Sequence, residues 1–240
     1  MAVARDRLSI APEVADAVED LDGLLSRLTA WDCQTCGREI GEAECSLALG
    51  PHPARPDQGL AALHHASCRP SQITPGGGVR TAATVYSGGG LAHLLPGQEA
   101  PQSVVVVNTQ LEHAYIRRTE AGWRPMAMPA LRQAGMLRAT PTPPSAEPYA
   151  LPPETMRIEL AVTPEEKQLG LVTVRLMLGG DVLCSSATSA QAMGPAAEGG
   201  NAWVVHSPLW GPDSGDELVL AELLGARDAL MAWVSLPRPQ

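Results

Sequence analysis

The sequence lacks the long apolar run that a membrane-spanning helix requires. Its best candidate stretch, residues 169–178, is interrupted by Arg175, whereas a membrane helix needs about 20 predominantly apolar residues. The N-terminus also lacks the pattern of a signal peptide, because Arg5, Asp6 and Arg7 precede an acidic segment instead of an apolar one. These two absences predict a cytoplasmic protein with no membrane contact, whose five cysteines stay reduced or bind metal.

Motifs of the common nucleotide-binding and hydrolytic enzymes are also missing. The glycine-rich stretches contain neither the P-loop pattern nor the dinucleotide-binding pattern, and the chain has no Gly-x-Ser-x-Gly turn for a nucleophile. His206 and Ser207 are adjacent on a predicted strand, so their side chains point to opposite faces and make poor catalytic partners. We therefore assign no catalytic residue and favour a non-enzymatic protein.

Lysine and phenylalanine are scarce, and the charge balance is acidic. Phenylalanine is absent and Lys167 is the only lysine, a bias that we attribute to GC-rich coding and not to function. The net charge of −9 disfavours binding to a phosphate backbone. Residues 73–140 form the one segment with a net positive charge, and the arginines that could build a basic patch there are Arg117, Arg118, Arg124, Arg132 and Arg138.

What the chain does have is a cluster of thiol and imidazole side chains in its first third. Cys33 and Cys36 form a Cys-x-x-Cys pair, and His65 and Cys68 form a His-x-x-Cys pair further along. Zinc prefers thiolate and imidazole ligands in a tetrahedral arrangement. The pattern predicts a structural zinc site of these four residues, with His64 as the alternative to His65.

This pattern resembles one half of a LIM-type or related treble-clef zinc finger. The resemblance covers residues 31–70 and rests on Cys33, Cys36, the following Gly37, and the His-x-x-Cys pair. It implies a Cys3His zinc site on a knuckle and a β-hairpin, with a short turn or helix carrying the last ligand. A thioredoxin-like redox pair is the competing interpretation, and it is disfavoured because a predicted helix precedes the motif and no βαβ pattern follows it.

Around this motif, the sequence predicts an α+β fold. Apolar residues with helical spacing indicate an amphipathic N-terminal helix over residues 12–29, and the zinc-binding module spans 31–72. Residues 73–240 then predict a mainly antiparallel sheet packed by a C-terminal helix over about 214–234, whose start a capping box at Ser214 and Glu217 would mark. The predicted domains are thus 1–30, 31–72 and 73–240.

Several local features of the last domain are predicted more sharply. Residues 81–87 and 104–107 have the composition of strands, and residues 113–118 and 123–128 are predicted to pair across a short turn. Gly179 and Gly180 separate two alternating runs by two residues, which is the signature of a β-hairpin. The proline-rich segment 141–153 is either an interdomain linker or a surface loop.

The favoured function is a cytoplasmic zinc-binding adaptor or regulatory protein that contacts another protein. Four good ligands close a zinc site to substrate, so the site itself indicates a structural role. The first alternative is an enzyme with a pocket in the C-terminal domain, using His113, His206 or the central arginines. The second is a nucleic-acid-binding regulator that uses the zinc module and the arginines of residues 117–138.

Overall fold

The structure, a computed structural model, describes residues 7–28, 33–41, 43–75, 89–93, 100–108, 113–141, 145–210, 220–226 and 228–237. In this part of the chain, strand residues clearly outnumber helix residues. The chain divides into two compact units. Unit 1 comprises Met1–Val85 and Gln110–Met128, and unit 2 comprises Tyr86–Thr109 and Pro129–Gln240. The predicted division into 1–30, 31–72 and 73–240 stays a prediction.

Unit 1 is built on a six-stranded sheet. Its strands are β1 (Leu8–Ser9), β2 (Cys45–His52), β3 (Arg55–His65), β4 (Gln72–Ile73), β7 (His113–Thr119) and β8 (Gly122–Pro125). The order is β1-β2-β3-β7-β8, and β4 also pairs with β2. The long strands β2, β3, β7 and β8 are antiparallel, whereas β1 and β4 run parallel to β2. The predicted pairing of residues 113–118 with the strand after the 120–122 turn is confirmed.

The predicted single helix over residues 12–29 is wrong. The structure has two short helices there, α1 (Pro12–Asp16) and α2 (Leu21–Leu25). Between them the backbone pairs with β8, because Trp123 donates its N–H to the Ala17 carbonyl and accepts one from the Glu19 N–H. Each of these hydrogen bonds takes a backbone group that a continuous helix would need for itself. The helical spacing of the apolar residues therefore reports burial and not an unbroken helix.

The core of unit 1 lies on one face of this sheet, beneath the two short helices. Alternate residues of β2 and β3 point into it, as the pleat of a strand requires. The buried members are Val14, Val18, Leu24, Leu28, Cys33, Ile40, Cys45, Leu47, Leu49, Ala61, Leu63, Ala114, Ile116 and Trp123. The predicted metal ligand Cys33 thus lies at the edge of the apolar core, where no water surrounds its sulfur.

Unit 2 contains an eight-stranded sheet. Its strands are β5 (Gly89–His93), β6 (Gln102–Val107), β9 (Leu137–Arg138), β10 (Met156–Ala161), β11 (Leu171–Leu178), β12 (Asp181–Ser189), β13 (Asn201–His206) and β14 (Leu230–Ser235). The order is β12-β11-β10-β14-β13-β6-β5, and β9 pairs with β14. The pairs β6–β13 and β10–β14 are parallel and the others are antiparallel. The end strands β12 and β5 approach each other, so the sheet curls toward closure.

The hairpin predicted at Gly179 and Gly180 is confirmed. Strands β11 and β12 pair up to Leu178 and Asp181, which leaves these two glycines as the turn. Their φ angles are 59° and 96°, and positive φ at both central positions is the geometry that two-residue hairpins prefer. Glycine adopts this backbone region without steric cost.

Four short helices complete the described part of unit 2: α3 (Pro129–Gln133), α4 (Pro164–Gln168), α5 (Ala190–Gly199) and α6 (Leu220–Gly225). A short 3₁₀ helix, Glu147–Tyr149, lies within the proline-rich segment. Tyr149 is buried and packs edge to face on Trp203, with ring centroids 5.5 Å apart. This part of the segment is therefore packed into unit 2. In the described residues no helix is long and apolar enough to cross a membrane.

The predicted C-terminal helix is also wrong, and with it the α+β fold class. The chain forms only the short helix α6 and then the strand β14, which lies inside the sheet between β10 and β13. A strand buried on both faces has a continuous apolar sequence, which periodicity cannot distinguish from a buried helix. The fold is mostly β, with two curled or nearly closed sheets. The predicted strand 81–87 and the capping box at Ser214 and Glu217 lie outside the described residues.

Candidate metal centre

The structure brings four of the predicted ligands together at one end of the unit 1 sheet. Cys33 and Cys36 lie on the tight turn before β2, His65 is the last residue of β3, and Cys68 is in the turn that follows. One ligand atom from each of the four residues lies within 4.8 Å of the others. The hairpin of β2 and β3 folds the chain back on itself, and this is what places the second pair beside the first.

Two of the separations between these atoms match those of a tetrahedral metal site. His65 Nδ1 is 3.5 Å from Cys36 Sγ and 3.7 Å from Cys68 Sγ. With Zn–S bonds of about 2.3 Å and Zn–N bonds of about 2.05 Å, sulfur and nitrogen at the corners of a tetrahedron lie about 3.6 Å apart. Both sulfur–nitrogen separations are thus close to those that metal coordination requires, and the four side chains could hold a metal ion.

The histidine ring is held with a defined nitrogen toward the sulfurs. Its other nitrogen, Nε2, lies 3.0 Å from the backbone carbonyl oxygen of Glu39. A carbonyl only accepts, so Nε2 carries the proton and Nδ1 is left with a free lone pair. Metal-binding histidines commonly have such a hydrogen bond, which fixes the tautomer and the ring orientation. The sequence contained no signal for this contact, since any residue at position 39 would supply the carbonyl.

The buried sulfur of Cys33 accepts two backbone hydrogen bonds. The N–H of Thr35 lies 3.4 Å and the N–H of His65 lies 3.3 Å from its Sγ. The turn itself is closed by hydrogen bonds from Gly37 N to the Cys33 carbonyl and from Cys33 N to the Arg38 carbonyl. Gly37 has a φ of 70°, a conformation that favours glycine. Backbone hydrogen bonds thus hold both the Cys33 sulfur and the turn that carries it.

Two of the cysteines, Cys36 and Cys68, differ in how readily they ionise. The pKa of Cys36 is lowered to about 6, chiefly because its sulfur accepts a hydrogen bond from the Arg38 backbone, and also because the Arg38 side chain lies beside it. The pKa of Cys68 is raised by desolvation and by the neighbouring Cys36 and Cys33 sulfurs. The thiols of Cys36 and Cys68 therefore do not both lose their protons easily unless a cation neutralises the charge.

His64 is not part of the cluster. It is fully buried, and its Nδ1 lies 2.9 Å from the Thr35 hydroxyl oxygen. Burial, together with the positive charge of Arg69, lowers the pKa of His64 to about 4. Its neighbour His65 points to the opposite face of β3, as adjacent strand residues do. Between the two histidines, the structure therefore places His65 with the cysteines.

The other two cysteines are separate from this centre. Cys45 is buried in the core of unit 1, and burial raises its pKa. Cys184 is buried in β12, where burial raises its pKa to about 12. Both are neutral thiols at physiological pH and behave as small apolar residues.

The residues of the alternative hypotheses are divided between the units. His113 is buried in β7 of unit 1, and His206 is buried at the end of β13 in unit 2. Of the arginines, Arg117, Arg118 and Arg124 are on β7 and β8 of unit 1. Arg118 stacks over Trp123, with 5.8 Å from its guanidinium carbon to the ring centroid. Arg132 and Arg138 are in unit 2.

Comparison with known proteins adds no relative. No family model matches the chain, and neither the curated proteins nor the solved structures contain a match. The description of the site rests on its own geometry.

Proposed function

We propose that unit 1 is a zinc-stabilised module and that Cys33, Cys36, His65 and Cys68 are the zinc ligands. The donor types and the sulfur–nitrogen separations of 3.5 and 3.7 Å support zinc over magnesium or calcium, which prefer oxygen ligands. The order of a knuckle, a β-hairpin and a turn with the last ligand also agrees with the proposed likeness to half of a LIM-type or treble-clef finger.

The metal's role in this proposal is structural. Three thiolates and one imidazole complete a tetrahedral coordination sphere, so no position is left for water or substrate. Zinc bound there would join the turn at residues 33–37 to the far end of β3. Residues 33–41 contain no helix and no extended strand, so this segment depends on the metal more than the paired strands do.

The module would act by presenting a rigid surface to another protein. Cys36, Gly37, Arg38 and Glu39 are all exposed, although the turn that carries them is anchored by the buried Cys33. A turn held in one conformation binds a partner without the entropy cost of ordering. We therefore infer a non-enzymatic adaptor or regulatory protein in the cytoplasm, with the exposed turn at the contact.

The hypothesis is tested by affinity capture with the full chain. Wild type is compared with Cys68→Ser, which removes a ligand, and with Glu39→Arg, which reverses a charge on the exposed turn but keeps the backbone carbonyl. Cys184→Ser is the matched control, because that cysteine is buried in the other unit. We expect wild type and Cys184→Ser to capture a partner protein that Cys68→Ser and Glu39→Arg do not capture. Glu39→Arg should lose this partner although it still binds zinc. Identical captured proteins from all four forms would contradict the adaptor hypothesis.

A further inference from the structure

The face of the unit 1 sheet opposite its apolar core is open at the end far from the metal centre. On β3, Gln58 and Leu60 are partly exposed on this face, whereas Ala62 has no exposed surface. A strand rises about 3.3–3.4 Å per residue, so Gln58 and Leu60 lie about 17–23 Å along β3 from His65. This end of the face is therefore a surface of its own, apart from the zinc ligands.

Two rows of side chains cross three strands on this surface. In the middle strand, β7, Tyr115 and Arg117 share the face because they are two residues apart. The register of β7 with β3 and β8 gives each of them neighbours on the same face, and a hydrogen bond from Met126 N–H to the Tyr115 carbonyl continues the pairing past β8. All six side chains are partly or fully exposed. The apolar row is Leu60, Tyr115 and Met126, and the polar row is Gln58, Arg117 and Arg124.

The two arginines of the polar row lie directly opposite each other. The register pairs Arg117 with Arg124, and the Cβ atoms of such a pair are about 4.5–5.5 Å apart. Like charges at this spacing are destabilising. In the part of the chain that the structure describes, neither arginine has an ion pair. An anion from outside the chain would remove this repulsion.

The carboxylates at this end of the sheet are placed elsewhere. Asp57 is next to Gln58 on β3, so strand alternation puts it on the opposite face. Glu120 is in the turn after β7, and the Glu19 carboxylate accepts a hydrogen bond of 2.8 Å from the Thr119 hydroxyl. The charge of the polar row is therefore available to a ligand.

A ligand reaches this end of the sheet through its face and not through its edge. The outer edge of β8 is occupied, because Trp123 exchanges backbone hydrogen bonds with Ala17 and Glu19. Addition of a partner's strand requires a free edge, and none is available at Trp123. The side chains of the two rows must therefore make the contacts.

The spacing of the rows matches an extended peptide. Along β7 the rows are two residues, or about 6.8 Å, apart. An extended peptide has the same repeat between side chains on one side of its backbone. A peptide that runs along β7, with an acidic and an apolar residue two positions apart, therefore places one over each row.

Nucleic acid fits this surface less well. The net charge of −9 repels a phosphate backbone, and two arginines are fewer than the basic stripe that such a ligand requires. The neighbouring Arg118 does not extend the row, because it pairs with Trp123 on the opposite face and stacks over its ring.

We propose that these two rows bind an extended acidic segment of a partner protein. One carboxylate lies between Arg117 and Arg124, and an apolar side chain two residues away packs on Leu60 and Tyr115. Two guanidinium groups can each donate to the oxygens of one carboxylate, and such charge-assisted hydrogen bonds are strong. This contact goes beyond the one proposed for the exposed turn of the zinc module, because it uses different residues at the other end of β3.

The test is an NMR titration of the ¹⁵N-labelled, zinc-loaded full chain with a synthetic peptide of threonine and glycine that contains one glutamate and one leucine two positions apart. We expect saturable shifts of the backbone amides of Leu60, Tyr115 and Arg117. Arg117→Gln should weaken binding at least about threefold, since it removes one of the two cations that hold the carboxylate. Arg118→Gln is the matched control, because it removes the same charge from the opposite face of the same strand, and it should bind like wild type.

Two changes to the peptide test which of its features are recognised. Glutamine in place of the glutamate should weaken binding, because the carboxylate charge is lost. Placing the glutamate and leucine next to each other should also weaken it, because adjacent residues of an extended peptide point to opposite sides. Zinc content is measured for each protein variant, so that loss of the module is distinguished from loss of the surface.

A single-stranded oligothymidylate is titrated in parallel, and it should not saturate the same amides. Saturation by the oligonucleotide but not by the peptide would overturn the proposal and assign the surface to nucleic acid. No saturable binding of the acidic peptide, or equal affinity in wild type and zinc-loaded Arg117→Gln, would also overturn it. So would equal weakening by Arg117→Gln and Arg118→Gln, which would reduce the effect to net charge.

Discussion

The two units differ in what holds their sheets together. Unit 1 contains four of the five cysteines in the sequence, and Trp123 is the only aromatic residue in its described core. Unit 2 contains Cys184 alone, and its core stacks Trp203 against both Tyr149 and Trp233, at centroid distances of 5.5 and 5.0 Å. Each large aromatic buries roughly 150–250 Å². Unit 2 therefore groups three large aromatic side chains at its core, whereas the core of unit 1 has one and borders the Cys3His cluster that we propose binds zinc.

The largest expected effect comes from removing a metal ligand from unit 1. Cys33→Ser should abolish zinc binding and unfold unit 1, because structural zinc in small modules contributes about 10–16 kcal/mol of binding free energy that is coupled to folding. Hydrogen exchange measured by mass spectrometry should show loss of protection in β2 and β3 and persistence in β11 and β12.

Cys184→Ser is the control for this comparison, since it changes a buried cysteine in the other unit. It should keep zinc and leave β2 and β3 protected. Equal loss of protection in both units after Cys33→Ser would mean that the two sheets do not differ in their dependence on the metal.

The next effect is a response to acid that is confined to unit 1. The lowered pKa of Cys36, about 6, means that its thiolate is present above that pH and is lost as the pH falls through it. Protons then compete with zinc for the ligand. Zinc content after dialysis should be full at pH 7 and should fall only at a pH below 6, because bound zinc itself opposes protonation of its ligands. Retention of zinc at pH 4 would contradict the assignment of Cys36 as a ligand.

A core truncation in unit 2 should destabilise unit 2 and leave the zinc content of unit 1 unchanged. Trp203 is about 1% exposed, and Trp203→Ala should cost about 3–5 kcal/mol of unfolding free energy, because it removes a large side chain and leaves a cavity. Denaturant titration should detect this change. The zinc content should stay at the wild-type value. Loss of zinc from Trp203→Ala would show that the metal site of unit 1 depends on the core of unit 2.

The smallest effect concerns the turn that carries the first two ligands. Gly37 has a φ of 70°, so Gly37→Ala should cost about 1–2 kcal/mol in unit 1 while zinc stays bound. Gly199 in α5 has open space around it, and Gly199→Ala should instead stabilise unit 2 by about 0.5–1 kcal/mol. Thermal melts of both variants test this contrast; equal shifts of the same sign would refute it.

The ligand cluster could be predicted from the sequence because its signal is chemical and local. The prediction rests on the spacing of Cys33, Cys36 and Cys68 and on the presence of thiol and imidazole side chains. The preference for His65 over His64 could not be predicted, since it depends on the pairing of β3 with β2 and on the contact of His64 with Thr35.

For the fold, the local turns were predictable and the two long helices were not. Gly179 and Gly180 mark a turn through their backbone freedom alone. The helical spacing of apolar residues around Val18 and the apolar segment around Met231 both predict helices. Hydrogen bonds to distant strands decide the conformation instead: Glu19 bonds to Trp123, and Met231 pairs with Val205. Tertiary contacts override local preference there.

Elemental analysis of the full chain, purified without chelator, tests whether unit 1 contains a metal cross-link. We expect about one zinc per chain in wild type and in Cys184→Ser, and none in Cys68→Ser. Wild type without metal, with Cys33 and Cys36 forming a reversible disulfide, would contradict it.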